Sequence, residues 1–156
     1  MDMRVVSVAA VILASPVAAQ DLTDWSGPFG GLSIGAGEEG VAGAFAGYQQ
    51  DLGGVVLGGE VEGSFSDDLE TTRLKLRVGA PIGDTLVYGL GGFGYADGTL
   101  DGLTGEGAGY TIGLGAERQI APGLRLGAEV TRDEYDFEGI GTAEDTSVRA
   151  RLTLNF

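Results

Sequence analysis

The sequence of 156 residues contains no cysteine and no histidine. Without cysteine there is neither a disulfide framework nor a thiolate metal site. Without histidine the commonest general base of hydrolases and acyl transferases is missing. Long hydrophobic runs are also absent. The one apolar stretch, Val5–Ala14, is far shorter than the roughly 20 residues that a spanning helix needs. Positive charge is scarce: nine Lys and Arg stand against 23 Asp and Glu, and the net charge of −14 repels nucleic acid and anionic surfaces.

The amino terminus explains the apolar stretch. Met1–Arg4 form a short basic n-region, Val5–Ala14 an h-region, and the small residues of Ser15–Ala19 a cleavage site. Residues 1–19 therefore read as a cleaved secretory signal peptide, and 20–156 as one domain. Thirty residues are glycine, a share well above the usual ~7 %. They have no three-residue period and sit beside alternating apolar residues, which excludes collagen and argues against a flexible linker.

Period-2 alternation fills the domain, each run giving one apolar and one polar face. The runs are Leu32–Ala36, Ala42–Tyr48, Val55–Phe65, Leu74–Ala80, Leu86–Tyr95, Tyr110–Glu117, Leu124–Thr131 and Val148–Phe156. In the fifth, Leu86, Tyr88 and Leu90 are out of phase with Phe93 and Tyr95, and a bulge between them would account for it. Tight connections at Asp51–Gly54, Pro81–Asp84 and Gln119–Gly123 alternate with others, of which Ala96–Gly107 and Asp133–Thr146 are long. The expected fold is all-β: an eight-stranded antiparallel up-and-down barrel.

Alternation alone does not say which face looks outward, because a soluble lipocalin-like barrel and a transmembrane barrel share it. Charge placement favours the transmembrane form. Six of the nine basic residues (Arg73, Lys75, Arg77, Arg125, Arg149 and Arg151) lie mid-strand on the polar face, together with Glu60, Glu62, Glu117 and Glu129. Folding the runs about their turns sets Glu62 opposite Lys75, Glu60 opposite Arg77, Glu117 opposite Arg125 and Glu129 opposite Arg151. In the narrow lumen of an eight-stranded barrel such pairing is close to obligatory. The other face, of Ala, Leu, Val and Gly with Tyr48, Tyr88, Tyr110 and Phe156 near strand ends, suits lipid better than a soluble core. Fourteen of the 23 acids, Asp133 among them, then fall in the four outer loops as a negative crown.

The signal peptide, the stretches DWSGPFGGLSIGAG, VVLGGEVEGSF and LVYGLGGFGYA, and a terminal Phe156 on an alternating strand resemble the small outer-membrane β-barrels of Gram-negative bacteria. These are the opacity-protein and OmpA transmembrane-domain type, often labelled porin family. The resemblance implies export through the periplasm to the cell outer membrane. It also implies contact with outer-membrane lipid and lipopolysaccharide, and reading of Leu152, Leu154 and Phe156 as a signal by the barrel-assembly machinery. OmpA continues into a peptidoglycan-binding domain; the chain is expected to end at the barrel, without that tether.

Enzymes occur among outer-membrane barrels, but their chemistries generally use a histidine base, so no enzymatic activity is expected. Glu60 and Glu62 could form an acid/base pair, yet Lys75 and Arg77 stand ready to neutralise them. GLGGFG (Gly89, Gly91, Gly94) matches the dinucleotide fingerprint, but no helix follows it. The acidic loops show no EF-hand spacing. No cofactor, metal or nucleic acid is expected, and no extracellular loop partner is legible. Two functions remain: a structural or interaction barrel with a charge-paired, largely closed lumen, and a narrow porin-like diffusion channel. Lumen size favours the first, because eight strands leave just enough interior for side chains.

Overall fold

The structure, a computed structural model, describes residues 24–36, 40–67, 69–100, 103–139 and 141–156, without the side chains of 99, 100, 103 and 104. The signal-peptide reading of 1–19 falls outside the described residues. Eight strands follow in order: β1 (Gly27–Ala36), β2 (Val41–Asp51), β3 (Val56–Phe65), β4 (Leu69–Ile82), β5 (Thr85–Leu100), β6 (Leu103–Ala121), β7 (Leu124–Phe137) and β8 (Gly141–Asn155). Each pairs antiparallel with its neighbours, and β1 pairs with β8 to close the barrel. Closure leaves no bare edge for a second chain to extend.

The hairpins β2–β3, β4–β5 and β6–β7 turn at the end where Gly27 starts the first strand. Two of them are two-residue turns, Ile82 opposite Thr85 and Ala121 opposite Leu124, with Gly83 and Gly123 in the left-handed region at φ 64° and 72°. At the opposite end β5–β6 and β7–β8 project beyond the wall. The expected long loops are strand over most of their length, since β5 runs to Leu100 and β8 begins at Gly141. The start of β8 hides this: residues 141–146 are solvated on both faces but for the half-buried Ala143, so alternation fades although pairing continues, whereas Asp133, Tyr135 and Phe137 of β7 stay buried on the inward face.

Even-numbered residues of β4, β6, β7 and β8 point outward. Leu76 (69 %), Leu114 (70 %) and Phe93 (76 %) are exposed on a wall that is apolar around the barrel. Odd-numbered residues of β4, β7 and β8 point inward and are mostly polar. Strand β5 departs from the expectation in one respect. Its register with β4 and β6 is continuous, so there is no bulge, and the irregularity lies instead between Gln119 and Ala121 on β6. The phase conflict resolves the other way: Leu86, Tyr88 and Leu90 face the lumen, while Val87 and Phe93 face out. Tyr88 is thus an interior residue at 2 % exposure and does not belong to an aromatic girdle. Tyr48, Tyr110 and Tyr95 are exposed on the wall.

Candidate functional site

The lumen is stacked in three layers. At the tight-turn end, Trp25 folds in from just before β1 and packs with Val56, Leu86, Tyr88 and Leu90. Its carbonyl accepts a hydrogen bond from Gln49 Nε2 at 2.6 Å, and Ser26 Oγ accepts one from the Asp51 backbone at 3.0 Å. At the projecting end, Ala96, Tyr135 and Phe137 form a second apolar cluster, with Leu69 and Ala143 against it. Between the two lie the charges.

Glu60, Glu62, Glu117, Glu129, Arg73, Lys75, Arg77, Arg125, Arg149 and Arg151 all face inward, none more than 5 % exposed. They come from β3, β4, β6, β7 and β8, so the layer ties opposite walls together. Arg151 is at its centre. It meets Glu60 at 2.6 Å, Glu129 at 2.9 Å, Glu117 at 3.3 Å and Glu62 at 3.7 Å, and its guanidinium lies 3.7 Å from the Phe45 ring centroid. Lys75 Nζ reaches Glu60, Glu62 and Glu129 at 2.8, 2.9 and 3.0 Å. Arg149 donates to Glu62. Arg77 pairs with Glu60 and Glu117, each at 3.2 Å, and stacks 3.9 Å from the Tyr88 ring centroid. The Tyr88 hydroxyl donates to Glu129 at 2.8 Å.

The registers differ from the turn-centred expectation. Glu60 is directly opposite Lys75 and Glu62 opposite Arg73; Glu117 is opposite Gly127, and Glu129 opposite Arg149. Each is a shift of two residues, which keeps every side chain on its face. The reason lies in the turns: on β3–β4 the Ser66 N–H to Leu69 carbonyl bond centres the hairpin one residue earlier than expected. The four anticipated ion pairs still form, as diagonals spanned by long side chains.

Sequence reasoning missed several lumen residues. Asp133, assigned to the outer crown, is 1 % exposed and engages Arg73 at 2.8 Å, a bidentate contact with the Arg73 Nε bond at 3.2 Å. Its signal was present: it continues the inward phase of Glu129 and Thr131. Trp25, Phe29 and Phe45 gave no such signal, because their role is to offer ring faces to arginines. Arg125 shows why these are needed. Among the described residues its one acidic partner is Glu117 at 3.2 Å, and Trp25 and Phe29 each lie 5.4 Å from its guanidinium.

Among the described residues there is no group of His, Cys, Asp and Glu that could hold a metal ion. Gly89, Gly91 and Gly94 lie within β5 with no helix after them, so the geometry of a dinucleotide turn is lacking. No helix in the described residues is long and apolar enough to cross a membrane, which says nothing of a barrel that crosses with strands.

A closed eight-stranded barrel, apolar outside and charge-paired within, defines the class of small membrane barrels. The profile of the outer membrane protein β-barrel domain family matches residues 7–156, and the chain belongs to that family. A comparison with curated proteins finds no match. Among solved structures the chain is similar to Neisserial surface protein A, with a TM-score of 0.55 and 10 % identity over 83 % of this chain and 94 % of that one. It is also similar to the N-terminal β-barrel domain of Pseudomonas aeruginosa OprF, with a TM-score of 0.58 and 14 % identity over 84 % and 98 %. At these identities the likeness is one of fold.

Proposed function

We infer that the protein is a non-enzymatic structural barrel of the outer membrane, with a closed lumen and an acidic outer rim. The observation that carries this reading is the Arg151-centred layer. Four glutamates converge on one guanidinium at 2.6 to 3.7 Å, and apolar clusters sit on both sides of it. An ion crossing the lumen would have to break pairs whose partners are fixed on opposite walls, leaving buried charges uncompensated. Export by residues 1–19, contact with lipid and lipopolysaccharide, and reading of Leu152, Leu154 and Phe156 by the assembly machinery complete the proposal. Planar-bilayer recording from the purified, folded monomer tests it: no stable conductance is expected. A large, long-lived open level would establish the narrow diffusion channel instead. Separating inner from outer membranes tests the location, with recovery in the outer fraction expected.

A further inference from the structure

The wall itself carries a feature that the lumen does not explain. An open groove of about 1210 Å³ crosses the outer face of β4 to β8. Its floor is Gly89 and Gly91, consecutive outward positions of β5. Leu76 and Val78 stand directly opposite on one side, Ile112 and Leu114 on the other. Strands lie about 4.8 Å apart, so the two missing side chains leave a slot of the width of one hydrocarbon chain. At its far edge, next to Ile112 in register, is Arg132.

Neither glycine is required by the fold. Both lack a positive φ. A Cβ at Gly89 would meet nothing closer than 3.9 Å, and at Gly91 nothing closer than 4.0 Å. Gly92, the next residue along β5, is the opposite case, since its Cβ would run into the Leu74 carbonyl. Glycine inside a strand weakens it relative to alanine. Two such residues side by side, with room for larger ones, mark a place kept open.

Arg132 supplies the chemistry of the occupant. Arg118 and Arg132 are the described basic residues that face outward, and Arg118 pairs with Asp84 beside the tight turns at 2.9 Å. Arg132, 59 % exposed, lines the groove towards the projecting end. Glu144 takes one of its N–H groups at 3.1 Å, and the nearby Glu134 is held by the Tyr110 hydroxyl at 2.9 Å. The rest of the guanidinium fork is open to an anion, and its geometry suits phosphate.

We propose that this groove is a lipid site: it seats one acyl chain of a phosphorylated glycolipid of the outer leaflet, the lipid A part of lipopolysaccharide, with a head phosphate on Arg132. The inference rests on the outer-membrane reading above. A second copy of the chain fits the groove less well. Two copies in one membrane share an orientation, so their twofold runs along the membrane normal and returns each residue to its own depth. Phe93, the most exposed large apolar side chain described, is two residues beyond Gly91. On a strand tilted by about 40° this puts it roughly 5 Å higher. It would meet its own copy and leave the glycine floor empty. A hydrocarbon chain has no such constraint.

The test uses the full folded protein in a non-ionic detergent, with diphosphoryl lipid A as probe and native mass spectrometry counting bound lipid. One equivalent is expected on the unaltered protein. Gly89→Leu with Gly91→Leu fills the slot without touching the backbone and should abolish retention. Arg132→Gln should weaken it about tenfold, equivalent to roughly 1.4 kcal/mol. Gly59→Leu, an equally open outward glycine on β3, should leave binding unchanged. Unheated gel migration confirms folding of each variant. Equal retention by the filled-groove variant overturns the site, as does preferential retention of a phospholipid or a dimer crosslinked through β5. A protein that fractionates with the outer membrane yet binds no lipid A sinks this inference alone. Recovery as a soluble protein sinks both readings.

Discussion

At the scale of single residues, the lumen shows how far charge can be placed by phase and how little its partners can be. That Glu60, Glu62, Lys75 and Arg77 share one face follows from period 2 alone. Who meets whom depends on turn centring and on side-chain reach, and neither is written in the alternation. The outcome is a lattice in which each of the four buried glutamates serves several cations. Glu60 meets Lys75, Arg77 and Arg151 at 2.8, 3.2 and 2.6 Å. Glu60→Gln should therefore destabilise the barrel by roughly 3–5 kcal/mol, the range for a buried pair that loses one partner, measured by urea unfolding in lipid vesicles. Sharing also changes the result of a charge exchange. Glu62→Lys with Lys75→Glu would rescue an isolated pair. Here the new lysine would lie against Arg73 and Arg149, both of which now bind Glu62. The double variant should remain well below the unaltered protein in the same unfolding experiment; full recovery would mean that the pair is independent of its neighbours.

At the scale of elements, the strands were legible wherever one face is apolar and the other polar, and obscure where that contrast is lost. Strand β8 declares itself from Val148 to Asn155, yet its first turn beyond the projecting hairpin does not. Strand β5 misleads because its inward face carries Leu86, Tyr88 and Leu90, apolar like its outward one. The seam between β1 and β8 is where the last strand matters most. Phe156 donates its backbone N–H to Pro28 at 3.1 Å, and its ring lies 3.7 Å from where a Cβ on Gly30 would be. Deleting Phe156 should lower the yield of folded barrel far more than Asn155→Ala, read as the fast-migrating band on unheated gels. Equal yields would remove the terminal aromatic from any assembly role. The same seam sets a glycine apart. A Cβ on Gly31 would collide with the Leu152 carbonyl and sit 2.6 Å from Phe45 Cζ. Gly31→Ala should impair closure, whereas Gly89→Ala, with free space, should fold as well or better. Thermal unfolding followed by circular dichroism separates the two.

At the scale of the whole molecule, the two apolar clusters that flank the charge layer left little trace in the sequence. Trp25 precedes the first strand, where alternation has not begun, and nothing in its neighbours marks it as interior. It is the single tryptophan of the chain and is fully buried. Its ring shares the inner mouth with Val56, Leu86 and Tyr88, and Arg125 caps it at 5.4 Å. An aromatic girdle residue would behave differently, since it would sit in the lipid interface on the outside of the wall. The location makes Trp25 a reporter of the plugged state. In the folded barrel its fluorescence should be shielded from acrylamide, because the charge layer and the apolar cluster exclude water from above and below. It should be equally shielded from spin-labelled lipid, because the wall separates it from the acyl chains. Urea unfolding should expose it to the aqueous quencher in a single step with the loss of strand signal. Strong acrylamide quenching of the folded protein would show the inner mouth open to water, and the closed-lumen reading would fail even if no conductance were recorded. Strong quenching by the lipid label would place Trp25 outside the barrel and overturn the layered arrangement itself.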